Sequence, residues 1–292
     1  MNHSVITPTG TTPLKRAITD DELRQYRRDG VVCLRGILTP EWIETIRLGV
    51  EEQREQPGPY ATIFKGENSF SIAEQIPSHV NERLHRAALQ CGAGQIAQRM
   101  LEVPQARFLH DNIFYKDSGD IIETPWHQDT ANGCFDGMNM IRVWIPVDPV
   151  ARQTTLEVVR ASHLWNAFYV SGDLDVYKAD AVNAAANAYY FDHKPEPYAK
   201  TPDIEAHRDS FDIIGYQMEP GDVVVFNFHL LHHAGAGQNS KTKRRVLSLI
   251  YGDDSLSLRH RPNMVPTLLD VAGRSFTDGQ SVTEFGDLFP AI

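Results

Sequence analysis

The sequence predicts a mainly β protein in which a helical N-terminal layer packs on one β core of the sandwich or barrel kind. Three observations predict it. Caps and apolar stripes at helical spacing are concentrated in the N-terminal third, before Ala106. Beyond that point the chain reads as short apolar segments separated by Gly, Pro and Asp, the pattern of strands and turns. No flexible linker, internal repeat or low-complexity tract divides the 292 residues, so a single domain over 1–292 is expected.

The elements follow in order. A polar tail occupies residues 1–16. Thr19-Asp20-Asp21-Glu22 offers a cap and an acidic first turn, with Leu23, Tyr26 and Arg27 at helical spacing behind it. Residues 30–38 form a β-branched apolar run bounded by glycine, which predicts a strand. Thr39-Pro40-Glu41-Trp42 restarts a helix, with Pro in the first turn where its missing N–H costs nothing. Residues 81–102 carry Leu84, Ala87, Ala88, Cys91, Ile96 and Met100 as a helical stripe, interrupted near Gly92 and Gly94 and closed by Pro104. Residues 17–105 are therefore read as helical support.

The β core is assigned to 106–260, with strands over 107–116, 140–147, 155–159, 212–218, 222–228 and 245–251. Between the third and fourth lies the stretch 161–210, rich in Tyr, Asp and Pro, with a helix expected over 179–190. A connection that long is read as an insertion or lid, with Tyr169, Tyr177, Tyr189, Tyr190 and Phe191 as an aromatic wall or as packing.

Charge and composition narrow the function. With 28 basic against 38 acidic residues, the formal charge of −10 leaves no electrostatic footprint for nucleic acid. No stretch reaches the roughly 20 apolar residues of a membrane span, and the N-terminus has no signal-peptide core, so a cytoplasmic protein is expected. Cys33, Cys91 and Cys134 form no CxxC pair and read as buried reduced thiols. A small-molecule substrate remains as the partner, with a homodimer open as the assembly.

Three local patterns carry chemistry. In Pro125-Trp126-His127-Gln128-Asp129 an imidazole and a carboxylate stand two positions apart on an extended segment, where residues i and i+2 share a face and can reach one metal. The Pro220-Gly221-Asp222 turn opens a strongly apolar strand that ends near His229, His232 and His233. Histidines there could complete a set of two imidazoles and one carboxylate, the ligand chemistry of non-haem Fe(II) with three adjacent positions left open. A strand beginning Lys243-Arg244-Arg245 follows, and a guanidinium fork suits the carboxylate of an organic-acid cosubstrate.

In this order, these segments resemble the phytanoyl-CoA dioxygenase family of Fe(II)- and 2-oxoglutarate-dependent oxygenases. The resemblance covers nearly the whole chain. It rests on Asp29-Gly30-Val31-Val32, Thr124 to Asp129, Arg142-Val143-Trp144-Ile145-Pro146-Val147-Asp148-Pro149, Leu156-Glu157-Val158, Ala161-Ser162-His163-Leu164-Trp165 and the Pro220-Gly221-Asp222 strand. It implies a double-stranded β-helix, a jelly-roll, cupin-like core with iron at its mouth. His127 and Asp129 then stand as the first two iron ligands, with the third from the His232-His233 pair. Counting from Gly221 favours His232 and counting back from Arg244 favours His233; His232 is preferred, because a loop absorbs extra residues more easily than a paired strand.

The resemblance further implies that Arg244, with Arg245 as its rival, pairs with the far carboxylate of 2-oxoglutarate, and that Asn112, Trp144 and Gln128 belong to the cosubstrate pocket. Thr154-Thr155 stands where family members commonly show Asn-Gly, and the loop after His232 is longer than usual. The cofactors implied are Fe(II), 2-oxoglutarate and O2, and the reaction is hydroxylation of a small organic molecule or natural-product intermediate with release of succinate and CO2. Desaturation, cyclisation, epimerisation or redox-neutral isomerisation on the same barrel is the alternative. A binding barrel would have lost a triad member, and a metal hydrolase would have no need of Arg244. His163 reads as structural, and His110, His193, His207, His229 and His260 receive no role.

Overall fold

The computed structural model describes residues 12–121, 123–165, 167–169, 199–235, 237–261 and 264–292. Helix α1 (Asp20–Asp29) starts at the expected cap: the Thr19 hydroxyl accepts from the Glu22 N–H, and the Glu22 carboxylate returns to the Thr19 N–H. It ends at Gly30, whose φ of 76° favours glycine. A Cβ there would also lie 2.4 Å from the His163 ring, so the turn and the close approach both demand glycine. Strand β1 (Val31–Leu34) is shorter than expected, because the chain turns at Gly36 and the Asp222 carboxylate accepts from the Gly36 N–H and from Arg35. The Pro-Gly-Asp turn thus fastens the ends of two strands. Helix α2 (Pro40–Glu55) follows, and the 81–102 stripe forms α3 (Glu82–Gln90) and α4 (Ala93–Leu101), broken at Gly92 with φ 91°.

Residues 17–105 are not helical support alone. Ala61–Lys65 (β2) and Phe70–Gln75 (β3) form an antiparallel hairpin that extends the main sheet, through β3 against β4 (Arg107–Lys116). The remaining core strands are β5 (Gly119–Ile121), β6 (Thr124–His127), β7 (Phe135–Asp136), β8 (Met140–Pro146), β9 (Leu156–Val159), β10 (Ile213–Gly215), β11 (Val223–Asn227), β12 (His232–Ala234), β13 (Gly237–Ser240) and β14 (Arg244–Gly252). The large sheet runs β1-β11-β8-β14-β4-β3-β2 and the small one β10-β9-β12-β6. All their pairings are antiparallel. Two antiparallel sheets with this interleaved order are the jelly-roll expected from the sequence. The helix expected over 179–190 lies outside the described residues.

Strand alternation gives the large sheet two different faces. Ile113, Tyr115, Ile141, Val143, Ile145, Val225, Leu247 and Leu249 pack on Leu23, Ile46, Val50, Leu84 and Ile96 of the helices. Truncating such a side chain, Leu84→Ala for example, costs ~2–5 kcal/mol. The intervening residues, among them Asn112, Phe114, Trp144, Ser248 and Ile250, turn towards the small sheet. The C-terminal segment, unassigned from sequence, seals one end: Val282, Phe285 and Phe289 are buried with Leu109, Phe135 and Phe228. Among the described residues no helix is long and apolar enough to cross a membrane.

Candidate active site

The two sheets enclose a cavity, and His127, Asp129 and His232 meet at its wall. His127 ends β6; Gln128 continues extended; Asp129 then begins a 3-10 turn, so the i, i+2 relation of the sequence survives in space. His232 opens β12, which pairs with β6 so that His232 stands directly opposite His127. Asp129 Oδ1 lies 3.8 Å from the Nε2 atoms of both His127 and His232. The Nδ1 atoms contact the carbonyls of Pro125 at 2.7 Å and Leu230 at 2.9 Å. A ring that donates Nδ1–H to a carbonyl presents its Nε2 lone pair, the tautomer a metal ligand needs.

The electrostatics suit the same use. Burial pushes the His127 pKa down, and burial with the neighbouring His127 takes that of His232 to about 3, so both rings are neutral. Burial opposes ionisation of Asp129, but the Arg142 charge and its hydrogen bond to the carboxylate outweigh it and hold the carboxyl below its ordinary range. Two neutral imidazoles and one carboxylate fit a hard-to-borderline divalent ion of the Fe(II) kind, with coordination positions left over.

His233 goes elsewhere. Its Nε2 donates to Glu157 at 2.8 Å, and its ring stacks on Trp126 with centroids 4.1 Å apart. Arg244 and Arg245 also separate. Arg244 is buried in the cavity wall, donates to the Thr154 carbonyl, and has no carboxylate in salt-bridge reach among the described residues. Burial lowers its pKa to about 10. Arg245 points to the opposite face, paired with Asp148 and with Glu51 at 2.7 Å. Asn112 and Trp144 line the cavity.

Gln128 requires a correction. Alternation puts it on the face away from its two neighbours, and it is fully buried there. Its amide nitrogen donates to the carbonyls of His229 at 2.7 Å and Ala167 at 3.1 Å, and its oxygen accepts from the Tyr169 N–H at 2.8 Å. It braces the strand that carries His127 and is not among the residues lining the cavity.

Several lining residues escaped the sequence reading. Arg142 donates Nε–H to Asp129 Oδ2 at 2.7 Å. Lys116 stands opposite Arg244 across β4 and β14; burial, with the Arg244 charge added, pushes its ammonium pKa well down, while Glu123 works the other way. His110, which had no role, contacts Gln75 Oε1 at 2.9 Å, and burial with the Arg142 charge lowers its pKa to about 3. Val265 and Thr267 bring the C-terminal segment to the cavity. Only the quoted Arg142-Val143-Trp144 segment carried any signal for these.

Fold and site together point to a class: a jelly-roll enzyme built around a two-histidine, one-carboxylate set that could hold a metal. The phytanoyl-CoA dioxygenase (PhyH) family model matches residues 26–246, and the chain belongs to that family. It is an Fe(II)- and 2-oxoglutarate-dependent dioxygenase, with O2 as cosubstrate. Among known proteins it is similar to the dioxygenase hkm4 of Aspergillus hancockii, at 26% identity over 83% of this chain and 75% of that one. Its fold is shared with the non-haem 2-oxoglutarate-dependent carbocyclase SnoK from nogalamycin biosynthesis, at a TM-score of 0.70 and 18% identity over 97% and 100% of the two chains. The epimerase SnoN from the same biosynthesis aligns at a TM-score of 0.66 and 16% identity over 93% and 95%.

Proposed function

We propose that the protein hydroxylates a small, largely apolar organic molecule not linked to CoA, with His127, Asp129 and His232 holding Fe(II) and Arg244 receiving the far carboxylate of 2-oxoglutarate. The observation that carries this reading is one cavity shared by the three converging donors and a buried guanidinium that has no carboxylate partner among the described residues. When bound, iron and 2-oxoglutarate supply the oxidising chemistry: the cosubstrate loses CO2 to become succinate, one atom of O2 entering succinate and the other the substrate.

The chain's own residues bind, orient and exclude water. Arg244 is a buried cation with no carboxylate against it among the described residues, and the far carboxylate of a five-carbon keto diacid compensates it with charge-assisted hydrogen bonds. Trp144 and Asn112 flank the path from Arg244 towards the triad, on the two strands that neighbour β14. Phe64, Ile72, Phe114, Phe135, Phe228 and Ile250 give the cavity a predominantly apolar surface beside polar residues such as Lys116 and His110, which favours a largely apolar substrate.

The structural neighbours include a carbocyclase and an epimerase, so the outcome after hydrogen removal is part of the test. A metabolite screen scored by succinate release, followed by product mass, is that test. Hydroxylation adds one oxygen, cyclisation or desaturation removes two hydrogens, and epimerisation leaves the mass unchanged. A well-folded, iron-loaded protein that consumes no 2-oxoglutarate with any candidate would refute the reading.

A further inference from the structure

We infer that Arg142 is a positioning residue that restricts Asp129 to a single oxygen towards the metal, and so keeps open the third position that 2-oxoglutarate and O2 together require. The inference rests on the ligand set proposed above.

The two oxygens of Asp129 have different neighbours. Oδ1 faces both imidazoles, 3.8 Å from each Nε2, whereas Oδ2 accepts Nε–H of Arg142 at 2.7 Å. Arg142 is itself held: its Nη1 donates to Asn112 Oδ1 at 2.9 Å and to Ser248 Oγ at 3.0 Å, and the whole group is buried. Its strand, β8, lies between β11 and β14, so its backbone is fixed on both sides. A guanidinium anchored at Nη1 and directed through Nε pins the carboxylate plane, because rotation of Asp129 would break a buried charge-assisted bond.

The consequence is a count of coordination positions. On a six-coordinate Fe(II), two imidazole nitrogens and one carboxylate oxygen would occupy three positions and would leave three for a two-point keto acid and dioxygen. A carboxylate bound through both oxygens would take a fourth, and the chelating cosubstrate would then compete with the protein's own ligand. Asn112 stands in the cavity wall as well as on Nη1, so the same residue set joins the metal ligand to the cosubstrate side. Simple neutralisation of a buried Asp129 is the competing role for Arg142, and it predicts no difference between metal and cosubstrate affinity.

The test compares wild type, Arg142→Met, Arg142→Lys and Ser248→Ala, with Fe(II) under anaerobic conditions and Co(II) as probes and folding checked by circular dichroism. The expected result for Arg142→Met is metal binding as tight as in wild type or tighter, with 2-oxoglutarate affinity of the metal-loaded form weakened ~10–100-fold, the worth of one buried charge-assisted hydrogen bond. Its visible metal-to-keto-acid band weakens in parallel. Arg142→Lys should restore part of the cosubstrate affinity, and Ser248→Ala, which frees one Nη1 anchor, should fall between it and wild type. Should Arg142→Met fail to fold, the Lys and Ser248 variants carry the same comparison. Wild-type 2-oxoglutarate affinity in the folded Arg142 variants, or loss of metal and cosubstrate affinity in equal proportion, overturns the inference. A wild-type protein that shows no band overturns the ligand assignment instead.

Discussion

His233 donates to Glu157 across β12 and β9 at 2.8 Å, and this pairing turns the second histidine of the His232-His233 dipeptide away from the metal donors. Burial alone would raise the Glu157 pKa, but hydrogen bonds from His233, Arg152 and Arg208 hold it well below the usual carboxylate range. The dipeptide therefore divides its labour by strand alternation, one ring to the cluster with His127 and Asp129 and one to a buried ion cluster around Glu157. His232→Ala is expected to abolish metal-dependent stabilisation and succinate formation. His233→Ala is expected to keep metal binding and to cost ~1–3 kcal/mol of stability through the lost hydrogen bond. Metal content and thermal melts of the two variants check this, and equal metal loss in both would count against it.

Arg244 and Arg245 invite the same comparison. Removing Arg244 takes away the only charged fork proposed for the far carboxylate, so Arg244→Met should raise the 2-oxoglutarate KM by ~10–100-fold. Arg245→Met breaks the pairs with Asp148 and Glu51 and should lower the melting temperature with the KM unchanged. Steady-state kinetics with varied 2-oxoglutarate separate the two.

A stability trend with pH follows from Glu74. Its Oε1 accepts from Gln53 at 2.8 Å and Gly58 at 3.0 Å, while Oε2 is buried without a partner. Burial raises its pKa from 4.5 to about 7. The folded state thus keeps a proton that the unfolded chain releases, so stability falls as pH rises from 4.5 towards 7 and then levels off. Glu74→Gln keeps the Oε1 acceptor and should flatten that fall, gaining ~2–3 kcal/mol over wild type at pH 8 and little near pH 4. Denaturant melts at several pH values measure it; an unchanged slope would contradict it.

The metal site makes a prediction by mass action. An ion that binds only the folded protein stabilises it by ~2.7 kcal/mol at a free concentration of about 100 times its Kd. Fe(II), or Co(II) in its place, should raise the melting temperature of wild type, and a chelator should reverse the shift. Asp129→Ala should show no shift.

Much of this site was legible from the chain because its parts leave local marks. His127 and Asp129 betray themselves by a two-residue spacing on an extended segment, the Pro220-Gly221-Asp222 turn announces the strand leading to His232, and a guanidinium at a strand start suggests an anion seat. The same alternation that joined His127 to Asp129 should have excluded Gln128, which faces the other way. Arg142, Lys116 and His110 were not legible as site residues, because strand pairings far apart in sequence bring them to one wall. The β2–β3 hairpin escaped for a related reason: its short strands become part of the core only through β4. Val265 and Thr267 reach the cavity from a C-terminal segment that carries no recognisable chemistry of its own.

The most direct measurement is anaerobic visible spectroscopy of the wild-type protein and Asp129→Ala with Fe(II) and 2-oxoglutarate. Two imidazoles and one carboxylate that leave room for a chelating keto acid predict a weak charge-transfer band in wild type and none in the variant. A folded, iron-loaded wild-type protein without the band, or the same band in both proteins, would contradict the account.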